Sequence, residues 1–321
     1  MTETRVLITR RMPEIAARLL REAGHAVATL DADEPAERRV LLDRVRGCSA
    51  MLATLSDRVD AELLDAAGSQ LRIIANYAVG FDNIDVPLCK SRGVRVSNTP
   101  GVLTAATADL TWALILAAAR HVVASDRFVR DGQWRGWAPL QYLGLELSGA
   151  TLGIIGAGRI GSAVARRGAA FDMKIVYAHP RVVPELDGPL GARRLGLDDL
   201  LRTSDVVSLH VPMRPENRHL LDARRLAMLK PTAVLVNTAR GPVIDEAALV
   251  ESLRARSIAA AGLDVFEREP ALHPGLTDLD NAVLLPHLGS ATHATREKMA
   301  AMAAGNIIAC LAGGEPSHAV A

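Results

Sequence analysis

The sequence predicts two doubly wound α/β domains, each built on a parallel sheet. Short apolar, β-type runs alternate with amphipathic segments along most of the chain, the pattern of βαβ units. The alternation is interrupted by the turn cluster Asn98-Thr99-Pro100-Gly101 and a long Ala/Leu-rich stretch, and it restarts at Thr151. The restart leads straight into a glycine turn, Gly156-Ala157-Gly158-Arg159-Ile160-Gly161, between a strand pattern and a helix pattern.

In the first block the expected elements are strand Val6–Thr9, helix Pro13–Glu22 stopped by Gly24, strand Ala26–Leu30 and a charged helix Glu34–Arg46. Strand Ala50–Ala53, helix Asp60–Ala67 and strand Leu71–Ala75 follow. In Asp85–Gly93, Asp85 caps a short helix, Pro87 sits in its first turn and Gly93 stops it, before strand Val94–Val96. Val102–Arg120 has no Gly or Pro and reads as a long, mostly buried helix. Arg127–Leu147 is punctuated by Gly132, Gly136, Pro139 and Gly144 and carries Trp134 and Trp137, two of the three tryptophans. That loop reads either as an arm packed on a neighbouring subunit or lining a pocket, or as a segment pinned locally by its aromatics.

The second block gives strand Thr151–Ile155, helix Ser162–Ala170, and strands Lys174–Ala178 and Val206–Leu209. Helix Ala223–Leu229, strand Ala233–Val236, helix Glu246–Ala255 and strands Ala259–Leu263 and Ala282–Leu285 come next. A final helix spans Ala294–Ala312. These apolar, β-branched runs suit strands covered on both faces.

Bulk properties narrow the function. A chain of 321 residues is long enough for two cores. A formal net charge of +1 with scattered basic residues gives no nucleic-acid footprint. Cys48, Cys89 and Cys310 form no CxxC and no metal-ligand spacing, which fits a reducing compartment and no metal. The apolar run Val6–Ile8 is too short for a signal-peptide core, and Leu110–Ala119 is about half a membrane span. The expectation is a cytoplasmic protein without a membrane partner.

The glycine turn points to a dinucleotide. Gly156 permits the tight turn, Gly158 lets the backbone approach a pyrophosphate, and Gly161 lets helix pack on strand; the N–H groups of Arg159, Ile160 and Gly161 open the helix toward the phosphates. In an open parallel sheet the reacting ligand lies at the carboxyl ends of the strands. There the second block delivers Arg240 after Ala233–Val236, Asp264, Glu267 and Glu269 after Ala259–Leu263, and His287 after Ala282–Leu285. Each alone is an ordinary loop residue; together they put a guanidinium, carboxylates and an imidazole on one rim.

The stretches ANYAVGFDNID (75–85), GAGRIG (156–161), SLHVP (208–212), NTARGPVIDE (237–246), AGLDVFEREP (261–270) and PHLGSAT (286–292) resemble the D-isomer-specific 2-hydroxyacid dehydrogenase family, and within it the glyoxylate/hydroxypyruvate reductases. The resemblance implies two Rossmann/flavodoxin-like domains with the active site in a cleft between them. Residues 1–98 plus 288–321 would bind substrate, and 99–287 would bind the dinucleotide. It gives Arg240, Glu269 and His287 the roles of the catalytic trio, with Glu269 chosen over Glu267 because the family's working acid directly precedes proline. Arg268 stands where the family usually has a second acid. A guanidinium can bridge the carboxylate and carbonyl of a 2-oxo acid, and an imidazole beside a carboxylate can donate the proton that accompanies hydride transfer.

The resemblance also puts the Val79 and Gly80 N–H groups on the substrate carboxylate and Asp264 on the nicotinamide carboxamide, with Thr107 and Thr238 as further cofactor contacts. At the end of the second strand of that block, where an NAD enzyme carries an acid for the ribose 2′-hydroxyl, the chain has His179, with Arg181 close behind. That substitution favours NADP(H) and still allows NAD(H). The partner implied is a small 2-oxo or 2-hydroxy acid, and the family commonly forms homodimers. Two alternatives stay open: a relative acting on phosphoglycerate, phosphite or another 2-hydroxy acid, and an NAD(H)-sensing, corepressor-like binding protein.

Overall fold

The computed structural model describes residues 4–320. In chain order the first elements are β1 (Arg5–Ile8), α1 (Ile15–Glu22), β2 (Ala26–Thr29), α2 (Arg38–Arg44), β3 (Ala50–Ala53), α3 (Ala61–Ala67), β4 (Ile73–Asn76), α4 (Val86–Ser91) and β5 (Arg95–Ser97). Helices α5 (Thr104–Ala119) and α6 (Val122–Arg130) follow. Then come β6 (Thr151–Ile155), α7 (Arg159–Ala170), β7 (Lys174–Ala178), α8 (Pro184–Leu190), β8 (Arg193–Arg194), α9 (Leu197–Thr203), β9 (Val206–Leu209) and α10 (Ala223–Leu226). The last are β10 (Val234–Asn237), α11 (Glu246–Arg254), β11 (Ala260–Leu263), β12 (Ala282–Leu284) and α12 (His293–Leu311).

The chain forms two compact units, one running to Leu103 and resuming at Ser290, the other Thr104–Gly289. The first is a parallel sheet of order β2-β1-β3-β4-β5, buried on one face by Leu7, Met51, Leu63 and Ile74 and on the other by α1 and α12. The second is a parallel sheet of order β12-β11-β10-β9-β6-β7-β8. One face packs against α5 and α7 through Trp112, Ile115, Leu152, Ile154 and Val164; the other is covered by Leu200, Leu235, Leu249 and Leu253. The α12 segment therefore returns to the sheet at which the chain began.

Local chemistry explains the boundaries. Asp85 caps α4 through the Leu88 N–H at 3.0 Å, and Asp245 caps α11 through the Ala248 N–H at 3.1 Å. The long apolar helix stops at Ala119, because His121 takes a left-handed conformation (φ 53°) and starts α6 on a new axis. Helix α6 extends to Arg130, so the first residues of the predicted loop are helical, and the chain breaks at Gly132 (φ 65°) instead. Helix α8 went unpredicted because Gly188 and Pro189 argue against it. Its start is held by tertiary contacts: the Val183 N–H donates to the Tyr177 hydroxyl, which donates to Asp187 at 2.7 Å. Trp112 is buried and donates to the Val164 carbonyl, whereas Trp134 and Trp137 are 53% and 84% exposed, so local pinning does not describe Trp137. No single helix among the described residues is long and apolar enough to cross a membrane.

Candidate active site

Strand β6 has β7 on one side and β9 on the other. The sheet's growth therefore reverses there, and the crevice that open α/β sheets use for ligands lies at the C-terminal end of β6. Gly156 needs its positive φ of 94°, and a Cβ on it would come within 2.6 Å of the His210 carbonyl oxygen. A Cβ on Gly161 would lie 2.2 Å from the Gly156 oxygen, which is the close strand–helix packing. At Gly158 the surroundings are opposite: a Cβ there would meet nothing within 4 Å. Gly158 caps α7 without a side-chain bond. The first-turn N–H groups of Arg159, Ile160 and Gly161 therefore have no intrahelical acceptor and open onto that space. A pyrophosphate fits this cradle.

At the end of β7 the His179 ring Nδ1 is buried and has no partner among the described residues. The carbonyls of His179 and Pro180 accept from Arg194 Nε and Nη2 at 2.8 and 2.9 Å, and Arg181 is exposed beside them. The turn thus carries two guanidinium groups, with no acid in the position after β7. Thr107, Thr238 and Asp264 converge elsewhere in the same unit. The Thr111 hydroxyl donates to the Thr107 carbonyl and lies 2.9 Å from the Thr238 hydroxyl. A Cβ on Gly289 would sit 3.4 Å from both Asp264 Oδ2 and the Thr107 side chain. The residues present fit a nicotinamide dinucleotide along its length.

The trio sits on three successive strand ends. Asn237, at the end of β10, accepts from the Ala239 N–H at 3.0 Å and donates to the Arg240 carbonyl at 2.9 Å, which shapes the turn that presents Arg240. The Arg240 guanidinium donates to the Ala239 carbonyl at 2.8 Å. Glu269 accepts from the Phe266 N–H at 3.0 Å through Oε1, and its Oε2 lies 2.8 Å from His287 Nδ1. Burial works to raise the Glu269 carboxyl, but the His287 bond and charge, the Phe266 N–H and the Arg240 charge outweigh it, leaving it below its ordinary range. It is a carboxylate at neutral pH, so Nδ1 of His287 carries the hydrogen and Nε2 is the ring nitrogen outside that bond.

His287 holds a left-handed backbone (φ 56°), uncommon for a side-chain-bearing residue. Asp264 supports it: its two oxygens accept the Leu288 and Gly289 N–H groups at 2.6 and 2.8 Å. Glu267, the rival acid, faces other partners, His219 Nε2 and Arg218 Nη2, both at 2.9 Å. His210, at the end of β9, is no competing acid, because burial pushes its imidazole down to about 3.

In the first unit, Val79 and Gly80 lie in the turn after β4. Three successive carbonyls there are occupied: Ala78 by the Thr99 N–H (2.9 Å), Val79 by Asn98 Nδ2 (2.8 Å) and Gly80 by Asn76 Nδ2 (2.7 Å). In a trans peptide each N–H is antiparallel to the preceding C=O. The N–H groups of Val79, Gly80 and Phe81 therefore face away from those donors.

Sequence reasoning missed the supports. Asn76, Asn98 and Asn237 hold the turns, and Asn237 was findable as an amide ending an apolar strand. Glu246 was not: an acid in the first turn of a helix is ordinary. Yet it is buried and accepts the Glu267 N–H at 2.6 Å, tying the helix after Arg240 to the loop that carries Glu269. Arg194 was hidden because its strand has two residues.

The model of the D-isomer specific 2-hydroxyacid dehydrogenase NAD-binding domain matches residues 112–289. A glyoxylate reductase of Thermococcus onnurineus is 50% identical over 309 residues, covering 95% of this chain and 92% of that protein. The crystal structure of the TT0316 protein of Thermus thermophilus superposes with a TM-score of 0.92 at 47% identity, covering 99% of this chain and 100% of that one. An NADPH-dependent glyoxylate/hydroxypyruvate reductase of Sinorhizobium meliloti, solved with NADP and malonate, has a TM-score of 0.88 at 33% identity, covering 100% of this chain and 97% of that one.

Proposed function

The chain belongs to the D-isomer-specific 2-hydroxyacid dehydrogenase family, and on that premise we propose that it reduces small 2-oxo acids, glyoxylate and hydroxypyruvate first, to the D-type 2-hydroxy acids (glycolate itself is achiral). The observation that carries this reading is the His287–Glu269 pair at 2.8 Å on the same sheet rim as the glycine cradle. A reduced nicotinamide dinucleotide supplies the hydride when bound. Arg240 bridges the substrate carboxylate and carbonyl and polarises the carbonyl; the Val79 and Gly80 N–H groups hold the carboxylate. His287 donates its Nε2 proton to the forming alkoxide while Glu269 stabilises the imidazolium and fixes its orientation. Asp264, besides bracing the His287 loop, retains lone pairs for the carboxamide, with Thr107 and Thr238 beside it.

NADPH is the preferred cofactor in this reading, because Arg181 and Arg194 flank the turn after β7 and no acid repels a 2′-phosphate there. The exposed apolar arm, with Trp137, Leu140 and Leu143 at 84%, 81% and 67% exposure, is the surface through which the chain would form a homodimer. The deciding experiment follows the loss of reduced-cofactor absorbance with a panel of 2-oxo acids and both NADPH and NADH. Turnover of glyoxylate and hydroxypyruvate with a higher kcat/KM for NADPH is expected. Cofactor binding without turnover of any 2-oxo acid would replace the reductase by a dinucleotide sensor, and a large NADH preference would overturn the cofactor assignment.

A further inference from the structure

The sheet of the first unit ends at β5, and an edge strand offers unpaired N–H and C=O groups. The chain after α12 covers that edge. Ala319 pairs antiparallel with Ser97, the Val320 N–H donates to the Val96 carbonyl at 2.8 Å, and Val320 packs on the core that holds Val94 and Val96. Pro316 is buried, and Glu315 accepts from Arg95 Nε at 3.0 Å. That ion pair is exposed and contributes little, so Pro316 and Val320 are the anchors.

Asn98, the residue after β5, is gripped from this side. Its N–H donates to the His318 carbonyl at 3.2 Å, and its carbonyl accepts from Asn306 Nδ2 at 3.3 Å. Asn306 is a buried amide on α12, and its Oδ1 lies 3.4 Å from His318 Nδ1. On the opposite side, Asn98 Nδ2 donates to the Val79 carbonyl at 2.8 Å and the Thr99 N–H to the Ala78 carbonyl at 2.9 Å. Each of those carbonyls shares a planar peptide with the N–H of the next residue. Asn98 therefore fixes the peptide that carries the Gly80 N–H, and Thr99 the one that carries the Val79 N–H.

We propose that Asn98 is a positioning residue for substrate binding and that the Pro316–Val320 segment sets its position. A segment that touches no substrate would then tune the affinity for the carboxylate of a 2-oxo acid. This rests on the reading of the Val79 and Gly80 N–H groups as donors to that carboxylate.

The test is a double-mutant cycle in the full-length protein. Asn98→Ala frees the Val79–Gly80 peptide, and Val320→Pro removes the N–H bound to Val96 while keeping an apolar side chain. KM and kcat for glyoxylate with NADPH, and cofactor affinity by fluorescence titration, are read for both variants and their combination. Asn98→Ala should raise KM about 3- to 10-fold with a smaller change in kcat. Val320→Pro should raise KM about 2- to 4-fold in the wild-type background and no further in Asn98→Ala, with cofactor affinity unchanged throughout. In Val320→Pro alone, the amide hydrogens of residues 78–81 should exchange faster, a readout independent of how well Asn98→Ala folds. Equal KM increases in the two backgrounds, or an unmoved KM and unmoved exchange in Val320→Pro, overturn the inference alone. If Asn98→Ala quickens exchange at the turn and leaves KM unchanged, the turn does not hold the carboxylate, and that reading falls together with this inference.

Discussion

Replacing Glu269 by Gln keeps the side chain's size and removes its charge, and the structure specifies what should follow. Glu269 makes two contacts, accepting the Phe266 N–H through Oε1 and holding His287 Nδ1 through Oε2 at 2.8 Å. A carboxylate accepts at both oxygens, but an amide accepts at one and donates at the other. If the amide oxygen stays on Phe266, its NH2 faces Nδ1 and excludes the Nδ1–H that imidazolium requires; if it flips, the clash moves to the Phe266 N–H. A hydrogen bond to a charged group contributes about 1.5–3 kcal/mol. The His287 and Glu269 side chains are 32% and 36% exposed, so solvent screening brings this to about 1–2 kcal/mol. At about 1.4 kcal/mol per pH unit, the alkaline limb of the kcat/KM profile for reduction should move down by about one unit. Activity at neutral pH should fall about 10- to 100-fold. The assay is initial-rate reduction across pH, with cofactor affinity measured separately by fluorescence titration. A variant with an unshifted limb and near-normal rates would refute the claim that Glu269 governs the proton on His287.

Other perturbations probe the same rim. His287→Gln should lower turnover by about 10²- to 10⁴-fold while cofactor affinity, read by fluorescence, stays within a few-fold; near-normal turnover would remove His287 from its role. Arg240→Lys should act mainly on KM for the 2-oxo acid, because a point charge cannot bridge carboxylate and carbonyl. Gly241→Ala would place a Cβ 1.9 Å from the Phe266 carbonyl carbon, forcing apart the loops that carry Arg240 and Glu269; a destabilisation of about 2–4 kcal/mol, seen as a lower denaturant midpoint, is expected. For Glu267, burial works to raise the carboxyl, but His219, the Glu246 backbone N–H and Arg218 hold it below its ordinary 4.5. A lowered folded-state value contributes stability that is present above the unfolded value and lost as pH falls through the folded one. Glu267→Gln should therefore flatten the loss of thermal stability as pH falls below the unfolded value, and unchanged acid sensitivity would contradict it.

How much of this was legible in the sequence depends on whether the deciding force was local. The strands of both sheets other than β8 were readable because apolar β-branched runs are needed wherever both faces are covered. Helix α4 was readable from Asp85 and Pro87, whose effect acts within one turn. Helix α8 was not readable, because Pro189 and Gly188 oppose it and the contacts that sustain it come from Tyr177, on another element. The bend at His121 is similar: nothing in Arg120-His121-Val122 announces the left-handed residue at which the helix breaks.

The site divides along the same line. Residues with distinctive chemistry are visible one at a time, so Arg240, Glu269 and His287 stood out as reactive groups ending successive strands. Residues that hold them resemble ordinary loop and helix residues until partners are known. Asp264 reads from sequence as a cofactor contact, yet its two oxygens brace the Leu288 and Gly289 N–H groups and so the unusual backbone of His287. Glu246 reads as a routine first-turn acid, yet it joins the Arg240 and Glu269 loops by a buried bond to the Glu267 N–H. This yields a consequence that separates holding from reacting. Glu246 acts by accepting the Glu267 N–H, a role that takes an acceptor oxygen, which an amide also supplies. Glu246→Gln should therefore retain most of the activity, whereas Glu246→Ala should lose about 10-fold or more in kcat with cofactor affinity unchanged. At Glu269 the charge itself is required, and the same amide substitution should be damaging. If Gln is tolerated equally at the two positions, the distinction drawn here between a carboxylate that holds a loop and one that holds a proton is wrong.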